Sequence, residues 1–234
     1  MLCVVLAGGL ATRMHPMTLT TPKALLEVAG RPFVDWQVER LAACGFTNIL
    51  FCVAFLADAI EQHLGDGKQF GVQVRYSREG EKLLGTAGAM RAALPLLEPT
   101  FLVTYGDSWL PFDYAAPLKV LESHNDCDGV MTVFRNNGKW DKSNVRTKGE
   151  WVLQYEKTGG AEQFDCIDYG AIALRRDVIA ALPVGKPIGL DTIQHDLAKL
   201  GLLRAFSAQE RFFEIGSPEG LIDLDKRLRS GATS

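Results

Sequence analysis

The chain lacks most of the features that would assign it quickly. No run of about 18 apolar residues exists, so no membrane-crossing helix is expected. The five cysteines (Cys3, Cys44, Cys52, Cys127 and Cys166) are scattered and never form a CxxC pair. That disfavours a zinc site and points to free thiols in a reducing compartment. Excess positive charge is missing too. The formal net charge is -3, which argues against a bulk electrostatic footprint for nucleic acid. The four histidines (His15, His63, His124 and His195) form no ligand-spaced pair, and no Ser-His-Asp triad can be assembled. Repeats, low-complexity tracts and a Pro/Gly/Ser-rich linker are absent as well. Met1–Leu6 is apolar but has no basic residues ahead of it, so it reads as a first strand and not as a signal peptide. A cytoplasmic location is the expectation.

What is present is an ordinary globular balance, 47% hydrophobic and 23% charged over 234 residues. The first half alternates short apolar runs with helical spacing. Strands are expected at Cys3–Ala7, Ile49–Val53, Val72–Tyr76 and Phe101–Tyr105. Helices are expected around Val34–Leu41 with Gly45 as the stop, at Asp58–Leu64 and at Ala87–Leu94. This rhythm predicts an α/β fold, a Rossmann-like three-layer sandwich with a mostly parallel mixed central sheet. The second half is less regular. Strands are expected at Val130–Phe134, Tyr169–Leu174 and Arg211–Ile215, with a hairpin of Asn144–Arg146 and Trp151–Tyr155. Helices are expected at Ile188–Leu200 and Pro218–Leu228. The second half should extend the sheet and add a small antiparallel lobe. One domain over 1–229 and a frayed tail at 230–234 are expected.

Ligands of parallel sheets bind outside the carboxyl ends of the strands. Two features fall there. Val4-Val5-Leu6-Ala7 stops in Gly8-Gly9, and Arg13 and Lys23 follow, the latter behind Pro22. Bare backbone permits close approach of a phosphate, and the cations supply charge. This is neither a P-loop, since no Gly-Lys-Ser/Thr follows, nor the dinucleotide fingerprint, whose third glycine is missing. Asp107 ends the Phe101–Tyr105 strand and suits a magnesium ligand as well as a simple turn. Glu214, beside Phe212-Phe213, is a candidate second carboxylate. Glu156-Lys157 ends its strand and, taken alone, reads as a solvated hairpin end.

Together these segments resemble the sugar-1-phosphate nucleotidyltransferase family. The pieces are Leu6-Ala7-Gly8-Gly9-x-x-Thr12-Arg13, Thr21-Pro22-Lys23, Leu84-Gly85-Thr86-Ala87-Gly88, Gly106-Asp107, Glu156-Lys157 and Glu214-Ile215-Gly216-Ser217-Pro218. The resemblance implies transfer of a nucleoside monophosphate from an NTP to a sugar 1-phosphate, giving an NDP-sugar and pyrophosphate with Mg²⁺. It implies nucleotide contacts from Leu6, Ala7, Gly8, Gly9, Glu81, Gly85 and Thr86. Arg13 would bind the departing pyrophosphate, and Lys23 would sit between the α-phosphate and the sugar phosphate. Glu156, Lys157 and Gly170 would hold the sugar phosphate, and Asp107 and Glu214 would share the metal. The implied partners are the two substrates, with no nucleic acid and no membrane; self-association stays open. A minimal single-domain member is implied, serving surface polysaccharide or sugar-nucleotide synthesis. Leu84–Gly88 is similar to the segment in mannose- and heptose-phosphate guanylyltransferases, which favours GTP and a heptose or hexose 1-phosphate; thymidylyl and uridylyl transfer stay open. A non-catalytic nucleotide-sugar sensor and cytidylyl transfer to a phosphate such as phosphocholine are the competing readings. Three positions depart from the family pattern. Ala11 stands where glycine is usual, Thr158 replaces the proline after the lysine, and Glu214 replaces an aspartate.

Overall fold

A computed structural model describes residues 1–9, 11–80, 82–160 and 162–231. Among the described residues nine main strands, alternating with helices in the first half and largely consecutive from 129 to 175, form a mixed α/β arrangement. They are β1 (Leu2–Ala7), β2 (Asn48–Val53), β3 (Gln73–Arg78), β4 (Thr100–Tyr105), β5 (Gly129–Phe134), β6 (Val145–Lys148), β7 (Trp151–Tyr155), β8 (Ile167–Arg175) and β9 (Leu203–Ser207). The chain divides into two compact units, one of 1–83, 104–111 and 212–234, the other of 84–103 and 112–211.

In the first unit β1, β2 and β3 pair in parallel, Leu2–Ala7 against Asn48–Val53 and these against Gln73–Arg78. β1 and β2 are buried on both faces, which is why both read as unbroken apolar runs. Helix α1 (Phe33–Ala43) buries Phe33, Val34, Gln37, Val38 and Leu41. It stops before Gly45, whose φ of 86° suits glycine. Helix α2 (Ala57–Leu64) joins β2 to β3. The expected strand over 211–215 is shorter than the sequence suggests. Only Phe213–Glu214 is extended, paired antiparallel with Ser108–Trp109. The ribbon is anchored from below, because Trp109 and Ile215 pack with Val28, Phe33, Leu224 and Leu228 in one apolar cluster. Leu224 and Leu228 come from the final helix, Pro218–Arg229. Ser217 caps that helix by accepting from Gly220 N at 3.1 Å.

In the second unit the strand order is β4-β8-β5-β9-β7-β6. β5 runs antiparallel to β8 but parallel to β9, so this half is the mixed one. The hairpin β6–β7 is the antiparallel addition expected from sequence. Helix Gly85–Ala92 and helix Leu190–Leu200 belong to this unit. Helix Ala115–Ser123 and strand β9 are additions that local pattern had not indicated. No helix among the described residues is long and apolar enough to cross a membrane.

Candidate active site

The first unit brings several expected residues together. β1 hands its chain to Ala7-Gly8-Gly9, and β4 ends alongside it, with Gly106 N donating to Leu6 O at 2.9 Å. Gly106 must be glycine here, since a Cβ would lie 2.9 Å from Ala7 Cβ. Asp107 follows immediately. Its backbone is held on one side by Ile215 N, which donates to Asp107 O at 2.9 Å. On the other side the buried Gln37 amide donates to Tyr105 O at 2.8 Å and to Ser108 O at 3.0 Å. The carboxylate therefore sits on a turn braced from α1 and from the ribbon.

Lys23 meets that carboxylate directly. Its Nζ lies 2.9 Å from Asp107 Oδ2, and both side chains are partly buried. Lys23 opens a single 3-10 turn, and Pro22 before it has φ of -58°, so the backbone entering the turn is rigid. The sequence spacing alone could not show that these two groups touch. Arg13 and Glu214 also converge. A methyl built on Gly216 would lie 3.3 Å from Arg13 Nη2 and 3.4 Å from Glu214 Oε1. The Arg13 guanidinium and the Glu214 carboxylate thus both lie close to the Cα of Gly216. Asp107 and Glu214 lie on paired segments, because Glu214 stands opposite Ser108 in the ribbon.

Gly8 is also constrained from within. A Cβ on it would meet Glu79 Oε1 at 3.0 Å and Ala54 Cβ at 3.3 Å. Gly9, by contrast, is exposed with nothing within 4 Å of a built Cβ, so it is the residue with room for a ligand. Glu79 was not singled out from sequence. It follows β3 and reaches Gly8 only because β1, β2 and β3 pair in register.

Ala11 adopts φ 50° and ψ 36°. The position is left-handed, so the loop carries an alanine where glycine would be unstrained. Its carbonyl accepts from Thr18 Oγ1 at 2.8 Å and Met14 N at 3.0 Å, which fixes this geometry.

In the second unit, Glu156 and Lys157 close β7. Lys157 Nζ is 3.2 Å from Asp191 Oδ1, and Glu156 Oε1 is 3.8 Å from His195 Nδ1. Asp191 and His195 lie on one helix, so the end of β7 is tied to that helix's first two turns. Thr86 Oγ1 accepts from Leu190 N at 2.6 Å at the same helix start. Gly85 has φ of 70°, and a Cβ there would strike Ile188 O at 2.7 Å. Gly170 has φ of 91° and donates its N–H to Asp168 Oδ1 at 3.0 Å. Asp168 also accepts from Gln194 Nε2 at 2.8 Å, and burial raises its carboxyl above the ordinary range despite these bonds. Asp168 and Asp191 are further groups that sequence reading passed over. Glu81 lies outside the described residues.

A strand-end glycine turn thus stands in the same unit as Lys23 against Asp107 and Arg13 near Glu214. Comparison with known proteins then supplies the family. Residues 2–141 match the model of the nucleotidyl transferase family. The chain belongs to that family. An N-acetylmuramate α-1-phosphate uridylyltransferase of Neisseria meningitidis is 45% identical over 125 residues, 53% of this chain and 54% of that protein. The chain thus spans about half of that relative. A protein of the same name from Caulobacter vibrioides is 27% identical over 97% of this chain and 96% of its own length. Among solved structures, HddC from Yersinia pseudotuberculosis complexed with GMP-PN superposes with a TM-score of 0.77 at 25% identity, covering 97% of this chain and 99% of that one.

Proposed function

We propose that this chain transfers a nucleoside monophosphate from an NTP to a sugar 1-phosphate, releasing pyrophosphate. The observation that carries the reading is the Lys23–Asp107 contact at 2.9 Å, on the turn beside Leu6–Gly9. The chemistry asks little of a base. A phosphate monoester oxygen is largely ionised at pH 7, its second pKa being about 6. It attacks the α-phosphorus, forms the new P–O bond, and the bond to the β-phosphate oxygen breaks with no proton to move. The obstacle is bringing two anions together, which calls for cations and orientation. Lys23 would neutralise charge at the α-phosphate and Arg13 at the departing pyrophosphate. Lys157 would hold the sugar phosphate, with Glu156 on a sugar hydroxyl and Gly170 offering close backbone approach.

A magnesium ion suits the oxygen donors at Asp107 and Glu214, which stand on paired segments of the ribbon. When bound, it supplies charge stabilisation on the phosphate oxygens.

For the finer substrate, the two relatives named N-acetylmuramate α-1-phosphate uridylyltransferases favour UTP with that sugar phosphate. A second reading, GTP with a hexose or heptose 1-phosphate, is favoured by the Leu84–Gly88 pattern and by the fold shared with HddC bound to GMP-PN. Pyrophosphate release across UTP, GTP, CTP and dTTP, each paired with several sugar 1-phosphates and with choline phosphate, decides between them. Folded protein that releases none from any pair would overturn the reading. Nucleotide-sugar binding without turnover would return the chain to a sensor.

A further inference from the structure

An open cavity of about 560 Å³ lies in the second unit between the loop after β5 and the turn after β7. That volume falls within the range of about 300–1,000 Å³ usual for small-molecule sites. Its walls carry Trp140, Lys142 and Glu162, with Phe164 behind and bare backbone at Gly138 and Gly160. Two observations place it close to the expected sugar-phosphate residues. The loop leaves the carboxyl end of β5, which is parallel to β9, and ligands sit at such ends. The opposite wall belongs to the turn that bears Glu156 and Lys157. Glu156 N donates to Asn144 O at 3.0 Å, Gly159 N to Glu156 O at 2.9 Å and Gly160 N to Ser143 O at 2.8 Å.

The loop is built to present its indole. Trp140 has φ of 68°, a conformation costly for a bulky residue and kept only where the surroundings enforce it. The enforcement is visible in the buried Asn136. Its Nδ2 donates to Asp141 O at 2.7 Å and Lys139 O at 3.2 Å, and its Oδ1 accepts from Ser143 Oγ at 2.7 Å. Phe134 packs on the indole at 5.7 Å between centroids, and the Arg211 guanidinium lies 5.4 Å from it. Even so, Trp140 remains 53% exposed, an amphipathic surface held still beside a cavity. Lys142 shares its cavity with Asp141 and Glu162, and no ion pair joins it to either among the described residues. Gly160 has φ of 88°, which favours glycine, and its backbone lies against the Lys142 stem.

We propose that this cavity selects the sugar, taking the ring substituents remote from the phosphorylated carbon. Trp140 packs against the ring or an acyl group, and Lys142 pairs with a carboxylate carried on a side arm. The inference rests on the sugar-phosphate transfer reading and deepens it to acidic, acylated sugar 1-phosphates. The test compares kcat/KM for N-acetylmuramate 1-phosphate with that for N-acetylglucosamine 1-phosphate, which lacks the acidic arm. This ratio does not depend on the fraction of enzyme that is folded. Lys142→Gln should lower it about tenfold, and Glu162→Gln, which removes a competing negative charge, should raise it. Trp140→Ala should raise KM for the acidic sugar phosphate about tenfold while KM for UTP stays within twofold. A ratio unmoved by Lys142→Gln overturns the proposal while leaving nucleotidyl transfer intact. If wild-type protein turns over neither sugar phosphate, calorimetry with free N-acetylmuramate decides: binding weakened by Lys142→Gln supports the subsite, and equal or absent binding in both proteins overturns it.

Discussion

Replacing Ala11 by glycine tests the nucleotide loop with a change of one methyl. At φ 50° and ψ 36°, alanine sits where an L-residue costs about 1–2 kcal/mol. Glycine removes that cost but loses more backbone entropy on folding, about 0.5–1 kcal/mol. The difference leaves Ala11→Gly more stable by about 0.5–1 kcal/mol. For a chain of this size that corresponds to a rise in Tm of about 1–4 °C. Ala29 supplies an internal replicate. It has the same φ of 50° and is held by its N–H donating to Asp225 Oδ1 at 2.7 Å. Ala29→Gly should therefore raise Tm by a similar amount. Thermal melts followed by circular dichroism, with urea unfolding as a second measure, read both. A lower Tm for both variants would refute the strain argument. A fall for Ala11→Gly alone would mean that Ala11 secures the loop through contacts that the backbone angle does not capture.

Three further outcomes are expected. Lys23→Ala should keep its fold yet lose about 10²–10³ in kcat, as when one charge-stabilising donor is removed from a reacting centre; single-turnover pyrophosphate release measures it, and near-wild-type turnover would remove Lys23 from the mechanism. Asp168→Asn should gain stability relative to wild type as pH rises from about 4, the ordinary carboxyl value. Because burial raises the folded carboxyl, wild type binds its proton more tightly when folded, so its stability is full below the unfolded value and falls as pH climbs through the folded one. The asparagine amide can also donate to Gln194 Oε1, which has no partner among the described residues. Urea unfolding at pH 4 to 7 measures this, and a difference shrinking with pH would contradict it. Finally, native protein should react with a thiol reagent at Cys44 first. Cys3, Cys52, Cys127 and Cys166 are buried, and burial, aided by the nearby Glu79 charge, pushes the Cys52 thiol up to about 12. Mass mapping of the first adduct checks this, and fast modification of Cys52 would not fit.

How much could be read beforehand depended on whether the signal was local. β1, β2 and β4 were legible because strands buried on both faces are written as unbroken apolar runs. The stop at Gly45 was legible because a left-handed C-terminal residue favours glycine. β9 was hidden by its own Arg204. That residue is only 8% exposed, stacks over Trp151, and pairs with Asp126 at 2.9 Å and Glu150 at 2.8 Å, partners 78 and 54 residues away. No local pattern announces a buried arginine. The same holds for the candidate site. Gly8, Lys23 and Asp107 could be named one by one, but Glu79 against Gly8, Asp191 against Lys157 and the braced Trp140 follow from long-range pairing alone.

The two lysines assigned to phosphate are each already engaged, Lys23 with Asp107 and Lys157 with Asp191. Each therefore has its own internal counter-ion, the closer and more buried one at Lys23. In the proposed reaction an arriving phosphate would exchange partners with a carboxylate. At Lys23 that exchange releases Asp107 Oδ2, an oxygen suited to a divalent cation. Under the proposed transfer, phosphate entry and cation entry would then favour each other, and the first unit would admit a metal–triphosphate complex in preference to either component alone.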